Sequence, residues 1–397
     1  MRVGILTIYK LNNYGSVLQA YALQSTVNKL GFRGEIIDYS IRHPTSSMLF
    51  EYAIHMCREQ GLRRSVASAL YYGIDLFQQR IGKLIRRDTH CIPAPHIFDE
   101  FRDSYLVLSE KSYSPGTLRR TPPDYDIYIS GSDNVWLLNN AFGISDGGAR
   151  FYLDFVPEDR ITISYAPSMG DPIVFDKHLA RLKSLLENID FLSVRESSTA
   201  EFLSQITGRV VTTACDPTLL LSREDWDLLL PEKVSPPSEK PYLLVYVAHP
   251  LDFDSPEFQF SRYISQKLGL EVINIGYHFN EGRPVYSNVT VPEFLTYFKN
   301  ASLVVTNTFH GTVFSIIYRK GFYAFKPRAG PTRIRDLLSI VGLSERFVQS
   351  DLEAQVLSPE LDYRVVEDKI QKLRCESLLW LETALHNGEM HCRGEQQ

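Results

Sequence analysis

An alternation of short apolar strands with amphipathic helices begins at the first residues and limits the chain to an α/β fold. Residues 3–8 are predicted to form a strand, and apolar positions three and four residues apart over 17–30 predict a helix. Gly31 suits the left-handed cap that ends such a helix. A second strand over 35–39 completes a βαβ unit, whose parallel crossover is expected to be right-handed.

The alternation continues in two blocks, which a proline-rich break separates. Pro231, Pro236, Pro237 and Pro241 crowd this short stretch, and we place the domain boundary there. Two βαβ-type domains in series are therefore expected. The remaining predicted strands are 125–130, 161–166, 191–194 and 209–213 before the break, and 242–248, 271–275, 303–306 and 322–325 after it.

Helix ends in the second block carry recognisable signals. Ser255 and Gly269 are the expected caps of one helix, with Pro256 in its first turn. Thr290 and Glu293 have the spacing of a capping box at the start of another. A last helix is predicted from about residue 362 to 384, followed by a dozen frayed residues.

Composition excludes several classes of protein. The net charge of −5 offers no basic face for a nucleic-acid duplex. The five scattered cysteines are odd in number, as expected of free thiols in a reducing compartment rather than of a disulfide framework. The sequence has neither a signal-peptide pattern nor an apolar stretch near the roughly 20 residues that a membrane-spanning helix needs. We therefore expect a cytoplasmic protein.

A basic, amphipathic helical insertion is predicted at about 50–112. Its most cationic part, 58–87, holds seven Lys and Arg residues and only two acids, Glu59 and Asp75. Such a face can contact anionic membrane headgroups. A helical lid with an ordinary solvated face fits the same pattern.

The turn around His310 is the most informative candidate site. It sets an imidazole among hydroxyl and backbone donors, between a buried strand and a helix N-terminus, where anions bind readily. A histidine that titrates near neutrality could act there as a general acid. A histidine that merely caps the turn fits the same spacing.

Other polar strand ends precede the break. Asn13, Tyr14, Gly15 and Ser16 follow the first strand and could turn backbone amides toward a ligand, although a plain N-cap explains them equally well. The three-glycine dinucleotide pattern is missing there. Further strands are followed by polar residues that include Ser132, Asp133, Ser164 and Tyr165.

Two arginines are candidates for binding an anion. Arg195 ends a strand, and its guanidinium can hold two oxygens of a phosphate or carboxylate at once. A structural ion pair with Glu196 is the alternative. Arg333 is the preferred member of a cationic group that also contains Lys326, Arg328 and Arg335, most of which we expect to be solvated surface charges.

Metal and nucleophile sites are not predicted. The groups His55/Cys57 and His90/Cys91/His96 lack the paired spacing of a zinc site. No G-x-S-x-G elbow is present, and Cys215 has no recognisable catalytic partner.

Six strings together make the chain resemble the polysaccharide pyruvyl transferase family, over roughly residues 1–345. They are NNYGSVLQAYALQ (12–24), YISGSDNVW (128–136), ISYAPSMG (163–170), SVRESSTAEFL (193–203), DPTLLL (216–221) and VVTNTFHGTVFSIIY (304–318). The resemblance implies two Rossmann-like domains facing across a cleft, in a GT-B-like arrangement. The first, 1–230, would be completed by a C-terminal helix within 360–397 that crosses back, and the second, 241–350, would carry the donor site.

The resemblance also implies a reaction: transfer of the pyruvyl group of phosphoenolpyruvate to hydroxyls of a sugar, with a pyruvate ketal and phosphate as products. The acceptor would belong to a bacterial exopolysaccharide or capsule, or to its lipid-linked precursor, and phosphoenolpyruvate would be a co-substrate, with no further cofactor expected. A glycosyltransferase that uses a nucleotide sugar, or a catalytically silent sugar-binding protein, are the alternatives.

His310 matches the key histidine of the family and Arg195 its donor-binding arginine. Many members carry Arg-Leu before the histidine, where this chain has Thr308-Phe309, so we expect Arg333 to help meet the donor's charge. The predicted donor-binding residues are Asn307, Thr308, Gly311, Thr312 and Arg333. The predicted acceptor-binding residues are Asn13, Tyr14, Gly15, Ser16, Ser132, Asp133, Ser164 and Tyr165.

Overall fold

A computed structural model describes ten stretches of the chain. Most of the predicted helical insertion, including its basic part 58–87, lies outside the described residues. The described residues are 1–40, 94–136, 146–170, 176–230, 236–248, 251, 253–276, 285–286, 288–327 and 332–394.

The first domain is built on a seven-stranded parallel sheet with the order β3-β2-β1-β4-β5-β6-β7. The strand order reverses beside β1, and in such a sheet ligands bind at the carboxyl ends of the strands near that reversal. Its strands are β1 (Arg2–Leu6), β2 (Arg33–Tyr39), β3 (Leu108–Tyr113), β4 (Ile127–Ser130), β5 (Ile161–Ser164), β6 (Phe191–Val194) and β7 (Thr212–Thr213).

Helices connect these strands. The helix after β1 begins where Asn13 caps it, because the Asn13 side chain accepts a hydrogen bond from the Ser16 amide. The helices are α1 (Tyr14–Lys29), α2 (Pro95–Tyr105), α3 (Pro115–Arg120), α4 (Asp146–Ala149), α5 (Asp176–Glu187), α6 (Ser197–Thr207) and α7 (Arg223–Asp227), with 3₁₀ turns at Arg150–Tyr152 and Pro217–Leu219.

The second domain repeats the plan with six parallel strands in the order β10-β9-β8-β11-β12-β13. The predicted capping box of Thr290 and Glu293 is present, and Gly269 caps its helix in the left-handed conformation. The elements are β8 (Tyr242–Val247), α8 (Pro256–Leu268), β9 (Glu271–Gly276), β10 (Val285–Tyr286), α9 (Val291–Asn300), β11 (Leu303–Thr306), α10 (Phe309–Ile317), β12 (Gly321–Phe325), α11 (Thr332–Val341), β13 (Phe347–Val348) and α12 (Asp351–Gln355), with 3₁₀ turns at Ser344–Arg346 and Tyr363–Val365.

The last helix, α13 (Glu367–Gly394), returns to the first domain. The Cys215 amide donates to Ser377 Oγ at 2.9 Å, and Arg374 Nε donates to the Leu219 carbonyl at 2.7 Å. Near its end, Gly388 packs so closely on the first sheet that a Cβ there would lie 3.0 Å from Ile127 Cδ1. The predicted fold class, two Rossmann-like domains with a C-terminal helix crossing back, is confirmed.

Element bounds differ from the predictions in three places. The range predicted to be a helical insertion ends in the edge strand β3, whose polar sequence LSEKSY hides its strand character. Two short edge strands, β10 and β13, have too few residues to show a pattern. Helix α13 extends to Gly394, through most of the residues predicted to fray.

Tyr14 ties the two domains together at the start of α1. Its ring stacks on Phe294 of α9 with centroids 4.4 Å apart, and its hydroxyl donates to the Val289 carbonyl at 2.6 Å. One buried apolar cluster is continuous across both domains around this contact. The first turns of α1 and α10 therefore face each other across the cleft between the two sheets.

Candidate functional site

The turn after β11 is tightly built and presents His310 on the first turn of α10. Thr308 is the N-cap, and its Oγ1 accepts a hydrogen bond from the Gly311 amide at 2.9 Å. A Cβ on Gly311 would lie 2.2 Å from Thr306 Oγ1, so this position has no room for a side chain. The backbone is thereby held while the imidazole projects from the second domain toward the first.

The His310 ring is enclosed by residues of the first domain. Its Nε2 lies 3.7 Å from Asp216 Oδ2. Among the described residues this buried nitrogen has no hydrogen-bond partner. The Nδ1 edge lies against Gly15 of α1, where a Cβ would be 2.0 Å from Nδ1. A glycine is thus required for the imidazole to reach the first turn of α1.

The N-terminus of α1 supplies the opposite wall. Asn13 Oδ1 accepts from the Ser16 amide at 3.2 Å, and Ser16 Oγ donates to Asp133 Oδ2 at 2.8 Å. The first amides of a helix lack intrahelical acceptors, and the helix dipole makes this end positive. An anion placed beside His310 would therefore meet a favourable field.

Arg195 lies beneath this pair, almost wholly buried. Its Nη1 donates to Asp216 Oδ2 at 2.7 Å and its Nε to Glu196 Oε1 at 3.3 Å. The guanidinium carbon sits 4.2 Å from the centroid of the Phe309 ring, the residue before the histidine. Arg195 thus forms the predicted ion pair with Glu196 and lies against the residue that precedes His310.

Arg333, from α11 of the second domain, meets Arg195 at a shared acceptor. The amide oxygen of Asn134 accepts from Arg333 Nη1 at 2.6 Å and from Arg195 Nη2 at 3.4 Å. A carboxylate or phosphate oxygen carries charge, so it would bind between the two guanidiniums more strongly than the neutral Asn134 oxygen does. Arg195, Arg333 and Asn134 therefore mark an anion-binding position.

The pKa values of the two buried carboxyl groups that flank Arg195 are shifted in opposite directions. Burial would raise the pKa of Asp216, but the facing His310 and Arg195 outweigh it and hold the pKa well below the ordinary value. Burial dominates at Glu196, whose pKa is raised despite Arg195. Asp216 is thus a fixed carboxylate next to the histidine.

Several predicted site residues hold the fold instead of facing the cleft. Ser164 Oγ donates to the Ser193 carbonyl, and Tyr165 OH donates to the Cys215 carbonyl. Ser132 Oγ donates to the Ala166 carbonyl. All three are buried with these hydroxyls bonded inside the first domain, and the Tyr14 hydroxyl is bonded to the second domain.

The remaining predicted donor-side residues lie around the turn before α10. Asn307 binds the Ala248 amide and Glu257, which ties β8 and α8 to the turn. Thr312 Oγ1 donates to the Thr308 carbonyl. These side chains shape the turn that carries His310, and Thr308 and Gly311 do the same through the cap.

Three residues of the site were not predicted: Asn134, Asp216 and Glu196. Each lies inside a string that carried the family resemblance, and Asn134 and Glu196 adjoin the chosen residues Asp133 and Arg195. Asp216 follows the very short β7 and precedes a proline, a polar strand end of the same kind as the others. Its position after a strand was the sequence signal that could have identified Asp216.

Metal-binding clusters and membrane-spanning helices are both absent from the described residues. Within the described ranges, His, Cys, Asp and Glu side chains form no cluster that could hold a metal ion. None of the helices in these ranges combines the length and apolarity that crossing a bilayer demands. What the cleft does assemble is an imidazole, two guanidiniums and a helix N-terminus, which can bind a small polyanion and transfer a proton to or from it.

A family model described as polysaccharide pyruvyl transferase matches residues 13–327. No curated protein sequence matches the chain. Solved structures that resemble it include a UDP-GlcNAc 2-epimerase from Methanocaldococcus jannaschii (10% identity, TM-score 0.47, covering 94% of this chain and 91% of that one). A heptosyltransferase from E. coli with ADP (12% identity, TM-score 0.38, covering 94% and 100%) is another.

Proposed function

The chain belongs to the polysaccharide pyruvyl transferase family, and we propose that it moves the pyruvyl group of phosphoenolpyruvate onto two hydroxyls of a sugar, with a pyruvate ketal and phosphate as products. The observation that carries this proposal is the buried imidazole of His310, set between the Asp216 carboxylate and the first turn of α1. Two guanidiniums, Arg195 and Arg333, lie beside it around Asn134.

The charge of the cleft suits this donor. Phosphoenolpyruvate carries a carboxylate and a phosphate on neighbouring positions, and each needs cationic or amide donors. The paired guanidiniums can hold one anionic group, and the first turn of α1 can hold the other. Displacement of the Asn134 oxygen by a charged oxygen would strengthen both arginine contacts.

The reaction can be written with His310 as the acid. The imidazolium gives its proton to the methylene carbon of the donor, and the central carbon becomes cation-like. One sugar hydroxyl attacks that carbon and returns its proton to the imidazole. The bond from carbon to the phosphate oxygen then breaks, the second hydroxyl attacks in its place, and its proton leaves with the phosphate, so that atoms and charges balance.

The Asp216 carboxylate faces the imidazole of His310, with Oδ2 3.7 Å from Nε2. It stays ionised because the facing His310 and Arg195 hold its own pKa well below the ordinary value. A fixed carboxylate at this point can orient the ring that serves as the acid.

The acceptor is proposed from family membership alone: a sugar of a surface polysaccharide or of its lipid-linked precursor, met in the cytoplasm. The exposed side chain of Asn13 is the part of the predicted acceptor group that remains open to solvent at this wall. Contact of the basic segment 58–87 with anionic lipid stays a prediction.

Phosphate release tests the proposal. The purified protein is incubated with phosphoenolpyruvate and a panel of lipid-linked galactose, mannose and N-acetylmannosamine acceptors. We expect phosphate release that depends on one acceptor, which gains the mass of one pyruvate less one water. Turnover of a nucleotide sugar in place of phosphoenolpyruvate would identify a glycosyltransferase and refute the proposal.

A matched pair of variants ties the activity to the histidine. His310→Asn should lower the rate by about a hundred- to ten-thousandfold, the usual contribution of a positioned general acid. His386→Asn removes an exposed histidine of α13, whose Nδ1 lies 3.2 Å from Glu389 Oε2, and it should leave the rate unchanged. Near-normal turnover of His310→Asn would remove the histidine from the acid role.

A further inference from the structure

We infer that Asp216 is a positioning residue for His310: it holds the imidazole with Nε2 toward itself, so that Nδ1 is the nitrogen that exchanges the proton with the donor. This inference deepens the proposed function and rests on it, because the donor that exchanges the proton is the proposed phosphoenolpyruvate. The arrangement of the ring itself can be tested without any turnover.

The enclosure of Nε2 is the first observation. This nitrogen is buried, and its nearest charged neighbour is Asp216 Oδ2 at 3.7 Å. No ligand can reach it without moving the ring. Nδ1, which the ring carbon Cε1 separates from Nε2, lies against Gly15 of the first domain, and the His310 side chain retains 11% exposure. We therefore assign the exchanged proton to Nδ1.

The Asp216 carboxylate is aimed by its other bonds. Oδ1 accepts from the Thr218 amide at 3.0 Å and from Thr218 Oγ1 at 2.6 Å. Oδ2 accepts from Arg195 Nη1 at 2.7 Å. The remaining lone pair of Oδ2 is available to an Nε2–H, and contacts of this kind often tighten only when substrate binds.

The peptide before Asp216 is held from two sides. The Cys215 amide donates to Ser377 Oγ of α13, and the Cys215 carbonyl accepts from Tyr165 OH at 3.0 Å. Asp216 then caps the 3₁₀ turn Pro217–Leu219. The C-terminal helix that crosses back thus fixes the carboxylate that orients the histidine of the other domain.

Charged groups of both signs surround His310. They are Asp216, Arg195 and Glu196 beside β6 and β7, Asp133 at the end of β4, and Arg333 of α11. Loss of the Asp216 charge would remove the anion next to Nε2, whereas Arg195 would keep its ion pair with Glu196.

The wild-type protein provides the first test. Nitrogen-15 NMR of ring-labelled histidine reports which nitrogen carries the proton in the neutral ring. We expect His310, assigned by its loss in His310→Asn, to carry the proton on Nε2. A neutral ring protonated at Nδ1 would overturn the inference, whether or not the protein turns over phosphoenolpyruvate.

Variants provide the second test. In Asp216→Asn the Nε2–H loses its carboxylate acceptor, so the neutral ring should no longer favour the proton on Nε2, and kcat should fall about tenfold or more. Asp124→Asn, which changes an exposed carboxylate paired with Arg160, should leave both unchanged. A purely structural Asp216 would lower the melting temperature in Asp216→Asn without changing which nitrogen of His310 carries the proton.

The two hypotheses fail separately. Absence of phosphate release by the wild-type protein with every acceptor would count against the proposed function and leave the NMR result standing. An unchanged proton position on the His310 ring in a folded Asp216→Asn protein that still uses phosphoenolpyruvate would overturn the positioning role alone.

Discussion

The two turns that face each other across the cleft are built from similar residues but contribute differently. Residues 13–16 at the start of α1 and residues 307–311 at the start of α10 are both polar, and each contains a glycine. In the first turn the side chains of Tyr14 and Ser16 are engaged in structural contacts, and the glycine provides space. In the second, the cap holds the backbone while His310 projects with a nitrogen unbonded to any described residue.

The difference teaches that a polar strand end is a candidate site only where a side chain remains unsatisfied. Buried polar groups are almost always hydrogen-bonded, so an exception needs a reason. At His310 the reason is a carboxylate 3.7 Å from Nε2, while Gly15 of the other domain lies against the ring. The first turn serves this histidine mainly through the absence of a side chain at Gly15.

Gly15→Ala is the strongest way to break this relation. The new Cβ would lie 2.0 Å from Nδ1, so the imidazole must move, and a displacement near 1 Å can cost about a hundredfold in rate. The clash also destabilises the fold, and the higher helix propensity of alanine, about 1 kcal/mol relative to glycine, offsets part of that destabilisation. We expect phosphate release to fall about a hundredfold.

The ring itself provides the control for this substitution. Gly15→Ala should also lower the melting temperature, because its Cβ clashes with the ring. In a His310→Ala background the clashing atoms are gone, so the same substitution should not lower it. If Gly15→Ala keeps wild-type turnover, the first turn does not form the wall for the histidine.

Arg333→Ala tests the cationic side of the second domain. A hydrogen bond to a charged group contributes about 1.5–3 kcal/mol, so the KM for phosphoenolpyruvate should rise about tenfold or more. The control is Arg335→Ala on the same helix, whose exposed guanidinium stacks on Phe347. Equal KM values for the two variants would show that Arg333 does not hold the donor.

A smaller effect is expected where the second domain caps a helix of the first. Asp336 Oδ2 accepts from the Ser197 amide at 2.7 Å and from Ser197 Oγ at 2.9 Å, at the N-terminus of α6. Glu196, the cap residue itself, makes no side-chain cap bond with the described residues. Such a cap contributes about 1 kcal/mol, here to closure of the cleft.

Asp336→Ala should therefore weaken donor binding about fivefold, measured as the KM for phosphoenolpyruvate. Asp351→Ala, which removes an acid from the first turn of α12, leaves the contact between domains intact and should not change the KM. A fall in melting temperature with unchanged KM would assign the Asp336 contact to stability alone.

Sequence predicted the fold well because alternation of strand and helix is a local signal that repeats many times. The capping residues Asn13, Ser255, Thr290 and Gly269 set helix starts and ends close to the predicted positions. Strand β3 was missed because an edge strand with one solvated face lacks an apolar run.

The candidate site was predicted less completely. His310, Arg195 and Arg333 were chosen from residue type and resemblance, and the structure brings them together. Ser164 and Tyr165 were chosen by the same reasoning, yet their hydrogen bonds hold β5 to its neighbours. Whether a polar side chain faces the cleft or a neighbouring strand depends on contacts far apart in sequence, such as that between Asp216 and His310, which no local pattern contains.

Tyr14→Phe gives the smallest expected effect. It tests the member of the predicted acceptor group whose hydroxyl is bonded to the other domain. The change removes the hydroxyl that donates to the Val289 carbonyl and keeps the ring that stacks on Phe294. Loss of one buried hydrogen bond should lower the free energy of unfolding by about 1 kcal/mol, or somewhat more because the carbonyl loses its partner.

Since the hydroxyl points away from His310 into the contact between domains, kcat and the acceptor KM should stay within about twofold of wild type. Urea unfolding and acceptor kinetics measured on the same preparation separate the two roles. A rise in acceptor KM without loss of stability would show that the Tyr14 hydroxyl binds the acceptor. The first turn of α1 would then contribute a side chain to acceptor binding, in addition to the room that Gly15 leaves for the imidazole.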